Sequence, residues 1–166
     1  MTAAYGGAGT SRSQRLDRTL SELVGQVPEV EAAALVSFDG LAMASALPPG
    51  FDEDRVAAMS AALLSLGERA AEGLGRGELS QVYVEGEDGT VFLVSADDAV
   101  LVAVTAKGAK VGLMLFEVRR AAAAVAEILR AEPSPVRQPA PVAPPVGATA
   151  LQVVSQPAPG SAQPWG

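Results

Sequence analysis

Between residues 14 and 27 the large apolar side chains fall at Leu16, Leu20, Leu23, Val24 and Val27. These three- and four-residue steps line one face of a helix. Arg15, Asp17, Arg18 and Glu22 take the other face, and Pro28, which has no N–H to donate, ends it. Apolar runs of strand length follow: "VEAAALVSF" and "LAMASAL" flank Asp39-Gly40, "LSQVYVE" and "TVFLVSA" flank "GEDG", and "AVLVAVTA" follows Asp97-Asp98. Such short connections imply antiparallel hairpins. In the last strand Val100, Val102 and Val104 face one side while Leu101 and Ala103 face the other, so the sheet needs cover on both faces. A closing helix begins near Lys110, with Val111, Leu115, Val118, Ala122, Val125 and Leu129 in one stripe and Glu117, Arg120 and Glu127 left wet. The order is helix, two strands, helix, three strands, helix.

The second helix, within 51–75, is the least ordinary segment. Asp52 is a good N-cap, Glu53 and Asp54 suit the positive end of the helix dipole, and Phe51 and Val56 have the spacing of a hydrophobic staple. Val56, Met59, Leu63, Leu66, Ala70 and Leu74 form a stripe expected to pack on the sheet. Yet no charge occurs from Val56 to Gly67, and the other face offers Ala57, Ser60, Ala61 and Leu64. Small residues let a second helix approach closely. This face is therefore expected to pack on a second copy of itself in a two-fold dimer.

Composition then narrows the chemistry. The 166 residues suffice for one domain, and a 49% hydrophobic content suits a packed core. The net charge of −7 disfavours nucleic acid as a partner. Histidine and cysteine are both absent, which removes Ser-His-Asp and Cys-His nucleophiles, the usual zinc ligands and disulfides. "AKGAKVG" at 106–112 lacks the first Gly and the Ser/Thr of a Walker A loop, and "EGEDGT" is too short for a calcium loop. No cofactor is expected. Asp39 could be a catalytic or metal-binding acid, but Asp-Gly is a preferred pair for a two-residue type I′ turn with both residues at positive φ, and it is read as that. Arg119 and Arg120 are expected on a wet helix face, with an arginine finger as the sharper alternative.

The ends differ from the middle. Residues 1–13 are small and polar and are expected to be a loose arm. Nine of the twelve prolines lie in 133–166, so that segment is expected to be a disordered, Pro-rich tail, with "LQVV" at 151–154 and Trp165 as possible docking points. All 19 acidic residues fall in the intervening 14–132, which makes the folded part more acidic than the whole. The N-terminal stretch does not read as a signal peptide, no apolar run is long enough to span a bilayer, and a cytoplasmic location is expected.

The stretch "LDRTLSELVGQVPEVEAAALVSFDGLAMAS" resembles the opening of the Roadblock family, named for a dynein light chain: a leucine-spaced helix, a "VPxV" break, a strand, an acid-glycine turn and a second strand. Leu16, Leu20, Leu23, Val27, Pro28, Val30, Asp39, Gly40 and Leu41 carry it, and "GAKVGLMLFEVRRAAAAVAEIL" matches the closing helix. Glu29 departs from the family, which often has Gly after the Pro. The resemblance implies an α+β, profilin-like fold: a five-stranded antiparallel sheet with one helix on one face and two on the other. It implies a homodimer through the second helix and the edge strand near 79–85, so that Gln81 and Tyr83 join Ala57, Ser60, Ala61 and Leu64 at the interface. It also implies a small Ras-like GTPase as partner, for which Arg55 and Glu68 are the expected contacts, with no chemistry by the chain itself. Bacterial members of this kind are often partners of gliding-motility-type GTPases. Two rival readings stay open: a dimeric sensor or adaptor that binds a small apolar ligand or a protein other than a GTPase, and a weak hydrolase using acidic turns such as that of Asp97.

Overall fold

A computed structural model describes residues 11–131. The elements run α1 (Arg12–Gln26), β1 (Val30–Ser37), β2 (Ala42–Ala46), α2 (Glu53–Gly73), β3 (Gln81–Gly86), β4 (Gly89–Ala96), β5 (Ala99–Ala106) and α3 (Val111–Ala131). α1 begins inside the span 1–13 expected to be a loose arm, and the rest of that span, 1–10, lies outside the described residues. Ser11 caps α1 by accepting from Gln14 N at 3.3 Å, while the Gln14 side chain accepts from Ser11 N at 3.1 Å. This reciprocal box satisfies two N–H groups the first turn would leave bare, so the helix begins at Arg12. The Pro-rich tail expected over 133–166 lies outside the described residues.

The five strands form one antiparallel sheet in the order β2-β1-β5-β4-β3. Alternation in β5 divides the core as the sequence implies. Leu101 and Ala103 join Leu16, Leu20, Phe92, Met114, Val118 and Val125 under α1 and α3, whereas Val100 and Val102 join Ala34, Val36, Ala57, Leu64 and Leu93 under α2. One helix therefore covers one face and two cover the other.

Two details of the sequence reading change. The 37–41 connection is not a two-residue type I′ turn. Gly40 N donates to Ser37 O at 3.0 Å and Ser37 N to Leu41 O at 2.9 Å, which leaves a three-residue loop of Phe38, Asp39 and Gly40. Only Gly40 has positive φ, at 83°, as a turn followed by a left-handed residue requires. The Ser37 side chain favours this longer loop: its hydroxyl donates to the Asp39 carboxylate and accepts from Leu41 N. It is Asp97, at φ 61°, that carries a non-glycine residue into the left-handed region.

The second change concerns α2, which is rotated about its axis: Val56 and Leu63 of the expected stripe stay partly buried against the sheet, but the innermost positions belong to the other face. Ala57, Ser60 and Leu64 are buried against the chain's own sheet, at 1, 4 and 3% exposure. The small residues serve close approach of helix to sheet. A Cβ on Gly40 would stand 3.4 Å from Ala61 Cβ, and one on Gly67 would stand 2.9 Å from Val82 Cγ2. The Ser60 hydroxyl is satisfied within the helix, donating to Val56 O at 2.7 Å. Met59, Leu66 and Leu74, expected to pack on the sheet, are instead 53, 66 and 72% exposed. Ala57, Ser60 and Leu64 thus cannot be a face offered to a second copy, and Ala61 is half-buried beside Gly40.

Two substitutions test this packing. Ala57→Leu should cost about 1–3 kcal/mol of folding free energy, because added methylenes push α2 off the sheet. Gly89→Ala should cost about 2–4 kcal/mol: at φ 153° its Cβ would stand 2.0 Å from Thr105 O. Urea unfolding followed by far-UV circular dichroism measures both, and wild-type midpoints would contradict the packing.

Candidate functional site

The rotation of α2 about its axis determines what it shows to solvent. Its outward side carries Arg55, Ala58, Met59, Ala62, Ser65, Leu66, Arg69 and Ala70, all exposed. Between Arg55 and Arg69 that side has no charge. A solvent-facing helix surface of this kind, with two large apolar side chains more than half exposed, is suited to contact with another apolar surface.

The helix ends beside an open sheet edge. β3 pairs with β4 alone, and the strand is exposed from Tyr83 to its end. Along it, Gln81, Tyr83 and Glu85 share the α3 side, while Val82 and Val84 share the α2 side. Tyr83 leans on buried Phe92 with ring centroids 6.2 Å apart and remains 52% exposed. Gln81 is fixed from behind: Arg119 of α3 donates to its Oε1 from Nε at 2.9 Å and from Nη2 at 2.5 Å.

α2 lies toward the end of the sheet that carries the 38–40 loop and the start of β3, as its contacts with Gly40, Leu79 and Val82 require. The other end of that sheet face stays partly bare. Between it and the flank of α2 is an apolar cleft of about 400 Å³, walled by Phe51, Met59, Leu63, Val84, Val91 and Val104. Arg55 stands at its rim.

The expected site residues therefore separate into groups. Gln81 and Tyr83 are together on the open edge. Arg55 and Glu68 are both exposed on α2 but thirteen residues apart, about 20 Å along the axis. Arg55 lines the apolar cleft, whereas Glu68 faces a second hollow with Phe38, Glu72, Glu78, Leu79 and Asp97. They do not form one contact point. Arg119 is engaged with Gln81, and Arg120 pairs with Glu117 at 2.6 Å, which leaves Glu117 half-buried rather than fully wet. Asp97 lies 3.8 Å from Arg130 at a turn. Met59, Leu66, Val84 and Arg119 are surface residues the sequence reading did not assign to the site. The unbroken uncharged run from Val56 to Gly67 pointed to α2, but not to which of its faces is outward.

Among the described residues no group of three or more acidic, His or Cys side chains is disposed to hold a metal ion, and no described helix is long and apolar enough to cross a membrane. The Roadblock/LC7 domain model matches residues 16–106. An uncharacterized protein of Methanocaldococcus jannaschii is 36% identical over 107 residues, 64% of this chain and 93% of that protein. Among solved structures, a Roadblock/LC7 domain from Streptomyces avermitilis is 28% identical, with a TM-score of 0.64 over 69% of this chain and 97% of that one. Myxococcus xanthus MglB shares the fold at 18% identity, with a TM-score of 0.65 over 70% of this chain and 89% of that one. The matched segment runs from the first buried leucine of α1 to the last residue of β5, and with it the chain belongs to the Roadblock/LC7 family.

Proposed function

We propose that the protein is a non-catalytic, cytoplasmic homodimer that binds a small Ras-like GTPase and biases its nucleotide state. The observation that carries this reading is the uncharged outward face of α2 lying beside the open edge of β3. Full burial of Met59 or Leu66 contributes about 1.5–3 kcal/mol per side chain, against about 0.2–1 kcal/mol for an exposed ion pair. A dimer using this face is held chiefly by apolar burial. The dimer surface is revised accordingly, to Met59, Ala62 and Leu66 with Gln81 and Tyr83, in place of Ala57, Ser60, Ala61 and Leu64.

Family membership and the kinds of residue available support the reading of a GTPase as partner. The chain has no histidine or cysteine, and the acids at its turns are spread over separate loops. A protein so composed is suited to shifting a partner between switch conformations, which needs differential binding and no chemistry of its own. Arg55 and Glu68, about 20 Å apart along α2, would touch separate parts of such a partner.

One observation favours a second reading. The cleft of about 400 Å³ is apolar and of a size that small ligands occupy, which suits a dimeric sensor of an apolar molecule. A ligand retained in native mass spectra would support it, and a bare polypeptide mass would count against it.

Two measurements test the main reading. Leu66→Glu should raise the dimer dissociation constant at least about 100-fold while leaving the far-UV spectrum unchanged, because it places a charge in an apolar contact. Sedimentation equilibrium reads this, and a wild-type dimer from Leu66→Glu would contradict it. Purified small Ras-like GTPases of the same organism, loaded with GDP or with a non-hydrolysable GTP analogue, should bind in one nucleotide state at least about tenfold more tightly than in the other. Failure of every such GTPase to bind in either state would overturn the partner assignment.

A further inference from the structure

The described residues place their methionines in different settings. Met114 of α3 is 1% exposed in the core, and Met43 of β2 is half-buried against the same cluster. Met59 of α2 is 53% exposed, so solvent reaches its thioether freely. The chain has no cysteine, so no thiol of its own competes for an oxidant and no disulfide can form.

Met59 also stands where a change of polarity matters most. It shares the outward face of α2 with Ala62 and Leu66, and it walls the apolar cleft with Phe51, Leu63 and Val84. Two donor side chains line that cleft. The Ser60 hydroxyl is spent on Val56 O, and Arg55 stands at the rim. An oxygen added to the Met59 sulfur would find no free side-chain donor inside an apolar contact, and burying it there is unfavourable.

We propose that Met59 is a reversible oxidation site, at which hydrogen peroxide switches off association through α2. The thioether sulfur attacks one peroxide oxygen. The S–O bond forms as the O–O bond breaks, and the departing hydroxide takes a proton and leaves as water. Sulfur loses two electrons and the peroxide gains them. A methionine sulfoxide reductase supplied with a dithiol reverses the step: the sulfoxide oxygen departs as water and the dithiol becomes a disulfide. The proposal rests on the dimer reading above. Two-fold symmetry places a sulfoxide from each copy in the same contact. The dimer in turn shields the sulfur, so oxidant acts on the free chain and the oxidised chain re-associates weakly. Association and oxidation therefore oppose each other.

Hydrogen peroxide added to the purified chain tests this, read by peptide mass spectrometry and sedimentation equilibrium. In a dilute, monomeric sample Met59 should gain one oxygen at least about tenfold faster than Met114. In a concentrated, dimeric sample the rate at Met59 should fall at least about threefold. The chain oxidised at Met59 should have a dimer dissociation constant at least about tenfold above that of the reduced chain, and reductase with dithiol should restore it. Met59→Leu keeps the volume and apolar character of the side chain, so it should dimerise as the wild type does and remain dimeric after the same treatment. Loss of the Met59→Leu dimer on oxidation would place the effect at another residue and overturn the proposal. A wild-type dimer whose dissociation constant is unchanged with Met59 oxidised would overturn the proposal and leave the dimer reading standing. A wild-type monomer at tens of micromolar before any peroxide is added would overturn the dimer reading itself, and this proposal with it.

Discussion

The close approach of α2 to the sheet governs the rest of the surface. Ala57, Ser60 and Gly67 are small where the helix meets the β1–β2 loop and the start of β3, and a side chain on Gly67 would press directly on Val82. With Ala57, Ser60 and Leu64 turned inward, the outward side carries Met59 and Leu66 among Ala58, Ala62 and Ser65. Met59 and Leu66 therefore face solvent. The same placement leaves the far end of the sheet face partly bare, which creates the cleft beside Val84 and Val91. Helix face, cleft and open β3 edge are thus consequences of one packing choice.

The fold was largely legible because its signals are local and repeated. Leu16, Leu20 and Leu23 have a single reading as a helix face, and the alternation from Val100 to Ala103 requires cover on both sides of the sheet. The 38–40 loop was read less well. Asp39-Gly40 suggests a two-residue turn, but the hydroxyl of Ser37 bonds across the loop and favours a third residue. Pair preferences do not include a side chain two positions away.

The candidate site was legible in place but not in orientation. In α2 both faces are apolar, and periodicity alone assigns the larger side chains to the core. Here the shape of the contact decides otherwise, since only small side chains fit over Gly40 and Val82. The sequence also gave no sign that Arg119 holds Gln81, a contact spanning 38 residues that depends on how α3 crosses β4 and β3. Family membership adds the expectation of a partner, and the structure adds where an apolar surface is available to meet one.

Amide hydrogen exchange along β3, measured as a function of protein concentration, tests the central claim most directly. Val82 and Val84 donate to β4 in the single chain and should be protected at any concentration. The Tyr83 amide points outward and should become protected only as copies associate. Protection of Tyr83 that rises with concentration is the predicted result; free exchange at Tyr83 in a fully dimeric sample would contradict the account.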